Sequence, residues 1–469
     1  MADHGIQDIL QRYFAKDGRR RFELENFIAA GVEGQTWKVK YAPRGLPPTN
    51  VPGAAAATPQ QLPIRRLALK IDGKKLDRLA KDLEKSGPVN QDINEGLDPD
   101  AMDIDDPEDD HAPAPDNEDD SGDEVEDDDF FGRDEGDAQL MGLAKERKVL
   151  NSWRWAMHVV NAFRPKDDPL TKKHHELLPL NFTAKDWIYM EYLENGTLER
   201  FLERAKRDET ITGPMLPNRL LWKIFLCLVR ICCAQLYPPK RPPGNHPRLV
   251  PETWRSARLI RGGIDHGDTH AGNIVFGDLT AADDEHYLVP ILKLIDMGLA
   301  ELILPNNNAT HREREKDFVF TAAEFVYLLI RRNLQAFGSM PRPNDEGDHG
   351  YVSVVVRPGG PEIQSCAWGV AEDEFPNLDP DLWRLVCACL AVEPKRRPDL
   401  RELLRVVKEG ATNRTEQYYQ NLGINGESDA NIERIFSVLM FNPWTNVAAR
   451  ARRGLGPPDA ESDGDKWDG

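Results

Sequence analysis

The stretch Ile264-Asp-His-Gly-Asp-Thr-His-Ala-Gly-Asn-Ile-Val-Phe276 places His266, Asp268 and Asn273 close together and runs directly into an apolar, strand-like segment. Twenty-three residues beyond Asn273 a second carboxylate, Asp296, ends the run Ile291–Ile295 and is followed by Met297 and Gly298. A carboxylate held at such a place can orient a hydroxyl and take its proton. A second carboxylate and a carboxamide oxygen are hard donors of the kind that Mg²⁺ selects. Phosphoryl transfer draws on both abilities: a positioned nucleophile, and a cation that bridges the phosphates and neutralises developing charge. Either half alone is a weak signal, because Asp and Gly populate ordinary turns. The order of the two halves, each attached to a strand, makes the signal strong.

The pattern His266-x-Asp268-x-x-x-x-Asn273, followed by Asp296-Met297-Gly298, resembles the catalytic loop and the metal-binding Asp-Phe-Gly of the protein-kinase family. The resemblance implies ATP and Mg²⁺ as cofactors, with Asp268 orienting the nucleophile and Asn273 and Asp296 binding the metal. Leu67-Ala-Leu-Lys70 looks like the family's lysine strand, so Lys70 would hold the α- and β-phosphates. Glu146-Arg-Lys-Val-Leu150 looks like the helix whose glutamate pairs with that lysine. Trp187 to Leu198 is similar to the central strand and hinge, which makes Met190 the gatekeeper and gives the backbone of Glu191 and Leu193 to adenine. In the glycine loop, read as Val32-Glu-Gly34-Gln-Thr-Trp37-Lys-Val39, only Gly34 and Val39 fall in register as nucleotide contacts. Asp317 matches the aspartate that opens an apolar helix and holds the catalytic-loop backbone. Residues 389–404 resemble the C-terminal signature, with Arg397 as its buried arginine. The resemblance spans about residues 22 to 409.

The sequence departs from the family in several places. Gly267 stands where the family carries arginine, and His270 where serine/threonine members carry lysine. No Ala-Pro-Glu follows, Asp317 lies only 21 residues after Asp296, and Thr310 is the one hydroxyl between them. Three functions therefore stay open. The first is a divergent serine/threonine protein kinase acting on a protein substrate. The second is a small-molecule phosphotransferase of the aminoglycoside/choline type, whose H-G-D-x-H-x-G-N loop is nearer to His266–Asn273. The third is a pseudokinase scaffold. The 389–404 signature and the Glu191-Tyr-Leu-Glu-Asn-Gly hinge favour the first over the second, and the survival of Lys70, Asp268, Asn273 and Asp296 counts against the third.

These residues need elements to carry them. The pattern predicts a short amphipathic helix over 5–16, strands within 22–41, a strand over 65–71, a helix over 140–160 and a strand over 186–193. From 218 onward helices dominate, with apolar residues at helical spacing from Leu221 to Cys232 and further helices at 317–333, 380–392, 399–409 and 430–441. Short strands are expected around 273–276 and 291–295. A strand-rich part followed by a helix-rich part implies an α+β chain. The resemblance makes it bilobal and protein-kinase-like, with an N-terminal extension over 1–21, a small lobe over 22–192, a large lobe over 193–425, and a helix and polar tail over 426–469. Residues 42–63 read as a Pro/Ala-rich loop, and 238–263 as a basic, Pro-rich insert.

Charge is unevenly spread. Residues 86–137 carry 23 carboxylates against Arg133 alone, so the rest of a chain of net charge −19 is close to neutral, at about +3. That segment has too few large apolar groups to offset the entropy of ordering and is expected to be disordered. Ser121, followed by Gly-Asp-Glu124, marks it as a candidate phosphorylated or docking segment. The near-neutral remainder argues against nucleic-acid and membrane partners. Six scattered cysteines fit buried thiols in a reducing compartment, cytoplasmic or nuclear, and no Cys or His pairs stand at zinc spacing. The apolar run Leu220–Leu236 is broken by Lys223 and Arg230 and reads as a buried helix.

Overall fold

The computed structural model describes residues 2–15, 17, 20–31, 34–42, 65–73, 142–165, 168, 170, 186–242, 249–255, 262–280, 283–303, 308–333, 351–356, 359–367 and 375–440. The acidic segment 86–137, Ser121, nearly all of the 42–63 loop, part of the 238–263 insert and the tail beyond 440 lie outside the described residues. The architecture is α+β. Strands β1 (Phe22–Gly31), β2 (Gly34–Tyr41), β3 (Arg65–Asp72), β4 (Ala162–Phe163) and β5 (Trp187–Glu191) form one antiparallel sheet, in the order β1-β2-β3-β5-β4.

The period of two along a strand sorts its side chains onto two faces. Leu67, Leu69 and Ile71 of β3 join Trp37, Val39, Phe22, Trp187 and Tyr189 on one face. That face is covered by α1 (Ala2–Ala15), whose Leu10, Tyr13 and Phe14 are buried. The N-terminal helix is thus part of the sheet's core, and Phe14 stacks on Phe22 with ring centroids 5.6 Å apart. Ala68, Ile188 and Met190 point to the opposite face and join the larger core. Lys70, two residues on from Ala68, shares that face.

Helix α2 (Leu143–Ser152) buries Leu143, Glu146, Val149 and Leu150 along one side. It is shorter than the expected 140–160. Beyond Ser152 the helix gives way to turns and isolated bridges: the Trp153 indole donates to the Ala234 carbonyl (2.9 Å), Ala156 bridges Val250, and Val159 bridges Leu294. The apolar residues that mimic helical spacing are each used against a different neighbour. Helix α3 (Leu198–Arg207), unforeseen in the sequence, is capped by Thr197 and buries Leu198, Phe201, Leu202 and Ala205.

Helix α4 (Asn218–Leu236) is buried along its whole length. Its three cations all have partners: Arg219 pairs with Asp429 at 2.7 Å, Lys223 Nζ donates to the Asp284 carbonyl at 3.0 Å, and Arg230 pairs with Glu285 at 2.6 Å. Around α4 pack α5 (Asn308–Arg331), α6 (Pro380–Cys389), α7 (Leu400–Asn413) and α8 (Asp429–Leu439). Three two-stranded ladders complete the architecture: β6 (Gly263–Asp265) with β9 (Glu301–Ile303), β7 (Ile274–Phe276) with β8 (Leu292–Leu294), and β10 (Val352–Val355) with β11 (Glu362–Ser365). All six cysteines are buried free thiols. No helix among the described residues is long and apolar enough to cross a membrane.

Candidate functional site

Lys70 projects from β3 toward α2 and the end of β8. Its Nζ lies 2.8 Å from Glu146 Oε2 and 2.8 Å from Asp296 Oδ1. Burial alone pulls the Lys70 pKa down, but the Glu146 and Asp296 carboxylates outweigh that and leave it raised. For Asp296 burial pulls the other way, and Lys70 prevails, so its carboxyl is held below the usual range. Glu146 is completely buried, whereas the Asp296 side chain keeps half of its exposure. Asp296 has φ 63°, a left-handed backbone costing about 1 kcal/mol for a non-glycine residue. The Lys70 bond holds it in that conformation.

Asp268 and Asn273 sit opposite, on the loop joining β6 to β7. Asn273 Nδ2 donates to the Asp268 carbonyl (3.0 Å) and to Asp268 Oδ2 (3.2 Å), which fixes the carboxylate and leaves Asn273 Oδ1 for another partner. The Ile295 amide donates to the Asn273 carbonyl at 3.0 Å, so Asn273 and Asp296 are registered by the β7–β8 ladder. His266, fully buried, has Nε2 at 2.8 Å from the Ile295 carbonyl, while its Nδ1 accepts from the Asp268 amide at 3.3 Å. A carbonyl only accepts, so the proton is on Nε2. Burial lowers the His266 pKa and keeps the ring neutral.

Gly267 has φ +76°, and a Cβ there would meet the Leu299 carbonyl at 2.6 Å. The chain after Asp296 crosses directly over this residue, which is why no side chain stands between His266 and Asp268. His270 Nδ1 accepts from the Gly272 amide at 3.1 Å, which turns its protonated Nε2 toward Asp268 Oδ2, 3.6 Å away. Both side chains are about half exposed.

Met190 pairs with Ala68 in the sheet and lies on the Lys70 face. Glu191 is locked by its side chain: Oε1 accepts from the Asn161 amide (2.8 Å), from Asn161 Nδ2 (3.0 Å) and from Lys293 Nζ (2.5 Å). Leu193 follows it and is partly buried. Gly34 pairs with Gly31 and Asp72, and a Cβ on it would lie 2.0 Å from the Ile71 carbonyl. The close approach of β3 therefore requires glycine there. Residues 32 and 33 of the expected glycine loop are outside the described residues.

Two sequence expectations need correction. Val39 is not on the Lys70 face. It pairs with Leu67, is fully buried and belongs to the α1-side cluster; the residues paired to Ala68 and Lys70 are Lys38 and Thr36. The β2–β3 register is shifted one residue from the motif alignment, and a one-residue shift exchanges faces. Lys38 consequently stands beside Tyr192, its Nζ 4.6 Å from the ring centroid and 3.5 Å from Glu25. Asp317 does not open a helix: α5 begins at Asn308, and the Asp317 side chain is 59% exposed, 3.7 Å from Arg397. The backbone of His266 is held instead by Gln235 of α4, whose Oε1 accepts from the His266 amide at 3.1 Å. Arg397 is buried as expected, donating to the Ala391 and Lys316 carbonyls.

Nothing in the sequence marks Gln235, Asp265 or Lys38 as site residues. Asp265 accepts from the Gly267 amide and pairs with Arg314 at 3.2 Å. Their signals are single polar residues on apolar helices or strands, with no spacing to set them apart. No protein-family model and no curated protein matches this chain.

Proposed function

We propose that the chain is an ATP- and Mg²⁺-dependent phosphotransferase with a bilobal, protein-kinase-like fold that passes the γ-phosphate to a protein serine or threonine hydroxyl. One observation carries the reading: Lys70 Nζ bonds at 2.8 Å to both Glu146 and Asp296, residues 76 and 226 positions away in the chain. A solvated surface lysine has no reason to gather two such carboxylates. In this reading the five-stranded sheet with α1 and α2 forms the small lobe, α3 to α7 belong to the large lobe, and residues 191–193 are the hinge.

Lys70, fixed by Glu146, contacts the α- and β-phosphates. Asn273 Oδ1 and Asp296 would supply oxygen ligands for Mg²⁺, which would neutralise charge on the phosphates. Asp268, oriented by Asn273, accepts the proton of the attacking hydroxyl through the oxygen not bonded to Asn273. His270 stands close enough to Asp268 to assist at the acceptor side. Lys38 and Tyr192 border the base subsite with a cation–π pair, on the face where Val39 was expected.

A second reading, transfer to a small hydroxylated metabolite, is favoured by the path of the chain after Asp296. It crosses Gly267 and pairs as β9 with β6, covering the 265–268 loop within a few residues. ADP release by the purified chain with ATP and Mg²⁺ tests the proposal, measured separately against a peptide library and a panel of small hydroxylated compounds. Turnover in the first arm supports the protein substrate and in the second the small acceptor. Absence of Mg²⁺-dependent nucleotide binding and of turnover in both arms overturns the phosphotransferase.

A further inference from the structure

Far from any motif, three buried side chains meet: His158 on the irregular segment after α2, Cys227 in the middle of α4, and His286 in the turn before β8. Their exposures are 0%, 2% and 2%. We propose that His158, Cys227 and His286 bind one zinc ion that clamps these three elements together.

The distances fit the ion. His158 Nε2 and His286 Nε2 are 3.2 Å apart, Cys227 Sγ is 3.5 Å from His286 Nε2, and all three atoms lie within 4.8 Å of one another. Tetrahedral zinc, with bonds of about 2.05 Å to nitrogen and about 2.3 Å to sulfur, sets two nitrogens about 3.3 Å apart and a nitrogen and sulfur about 3.6 Å apart. Thiolate plus imidazole is also the donor chemistry zinc prefers over Mg²⁺ or Ca²⁺. Water or a further donor completes the tetrahedron.

The outer partners point the same way. His158 Nδ1 is 2.6 Å from Glu252 Oε2, and His286 Nδ1 is 2.6 Å from Asp283 Oδ2. A carboxylate accepts, so each Nδ1 carries the proton and each Nε2 turns a lone pair inward, the arrangement that orients and strengthens metal-binding histidines. The carboxylates are themselves anchored: Glu252 Oε1 accepts from the His158 amide at 2.7 Å, and Asp283 Oδ1 from the Glu285 amide at 2.9 Å. Without a cation, two lone pairs would face each other across 3.2 Å in a dry interior, or one ring would have to carry a second proton. The neighbouring cations are already engaged, Arg230 with Glu285 and Lys223 with the Asp284 carbonyl. The clamp fastens the segment whose His158 carbonyl accepts from the Leu294 amide at 2.9 Å, next to the strand that leads to Asp296.

Metal analysis of the full chain, purified without chelator and dialysed, tests this. About one zinc per chain is expected, lost in Cys227→Ser and His286→Gln and kept in Cys232→Ser, which alters a buried thiol elsewhere on α4. Cobalt-exchanged wild type should show a thiolate-to-metal band in the near ultraviolet. Removing zinc with a chelator should lower the unfolding midpoint by roughly 5 °C or more, restored by added zinc. If Cys227→Ser does not fold, the cobalt band and the chelator shift of wild type decide the matter. A wild type that takes up neither zinc nor cobalt, or a folded Cys227→Ser that keeps its zinc, overturns the site and leaves a proton-shared His–Cys pair in its place.

Discussion

Two polar clusters lie within the same core and differ in one respect. Around Lys70 the cluster is closed on one side, where Glu146 is fully buried, and open on the other, where Asp296 and Asp268 keep about half of their side-chain exposure. Around His158 the cluster is closed at its centre, where His158, Cys227, His286 and Glu252 are all at 2% exposure or less. An open cluster can exchange a ligand with solvent at each cycle. A closed one exchanges its contents only slowly, when the fold around it opens. Changes in the first should therefore appear in turnover, and changes in the second in stability.

The sharpest separation should come from Asp268→Asn and Asp296→Asn. Each is expected to lower turnover by about 1,000-fold or more while leaving the unfolding midpoint near wild type, because both side chains are about half exposed and Lys70 keeps Glu146 as a partner. Nucleotide-induced thermal shifts should persist in Asp268→Asn and lose their Mg²⁺ dependence in Asp296→Asn. A wild-type rate in either variant would break the division.

Next in size, Lys70→Met should cost about 100-fold in kcat/KM, and Glu146→Gln about tenfold. Lys70 has a raised pKa, so its pairing is present at neutral pH and fades only as pH rises through that value. Asp296 has a lowered pKa, so its share fades only as pH falls through it. A loss of rate near pH 6 would have to arise at another group.

Glu252→Gln probes the closed cluster. It should destabilise the chain by about 2 kcal/mol in denaturant unfolding, since the buried His158 Nδ1–H would face a carboxamide NH2 in place of its acceptor, with kcat/KM of the folded fraction unchanged within about twofold. Val39→Ala should cost about 2 kcal/mol of stability and leave the KM for ATP unchanged, as its side chain packs on the α1 face. A raised KM would return Val39 to the nucleotide.

The smallest effect should be that of Thr310→Ala, within about twofold in turnover, because Gly267 offers no cation to answer a phosphate on the segment. Phosphatase-treated protein should be as active as untreated protein. A tenfold loss restored by Thr310→Glu would sink this expectation.

The open cluster was legible in the sequence because each part is local. His266, Asp268 and Asn273 share one loop, Asp296 ends one strand, and Lys70 and Glu146 each carry an apolar context of their own. The long apolar stretches were legible too, as α4 shows. Register was not. Motif spacing set Val39 against the nucleotide, but β2 and β3 pair so that Val39 meets Leu67, and only the strand partners reveal that. Nor was the closed cluster, since His158, Cys227 and His286 stand 69 and 59 residues apart and nothing near any of them marks it. The 308–316 turns of α5 are mostly charged, so the sequence pattern began that helix nine residues late.

The crossing of Leu299 over Gly267 also bears on engineering. Grafting phosphorylation control onto this scaffold would start with Gly267→Arg, yet the first carbon of that side chain would fall 2.6 Å from a backbone oxygen, at a positive φ that arginine rarely adopts. The graft would require rerouting the chain around residue 299 first, so an added switch is better placed at a distance, where it acts on α2 and the Lys70–Glu146 pair.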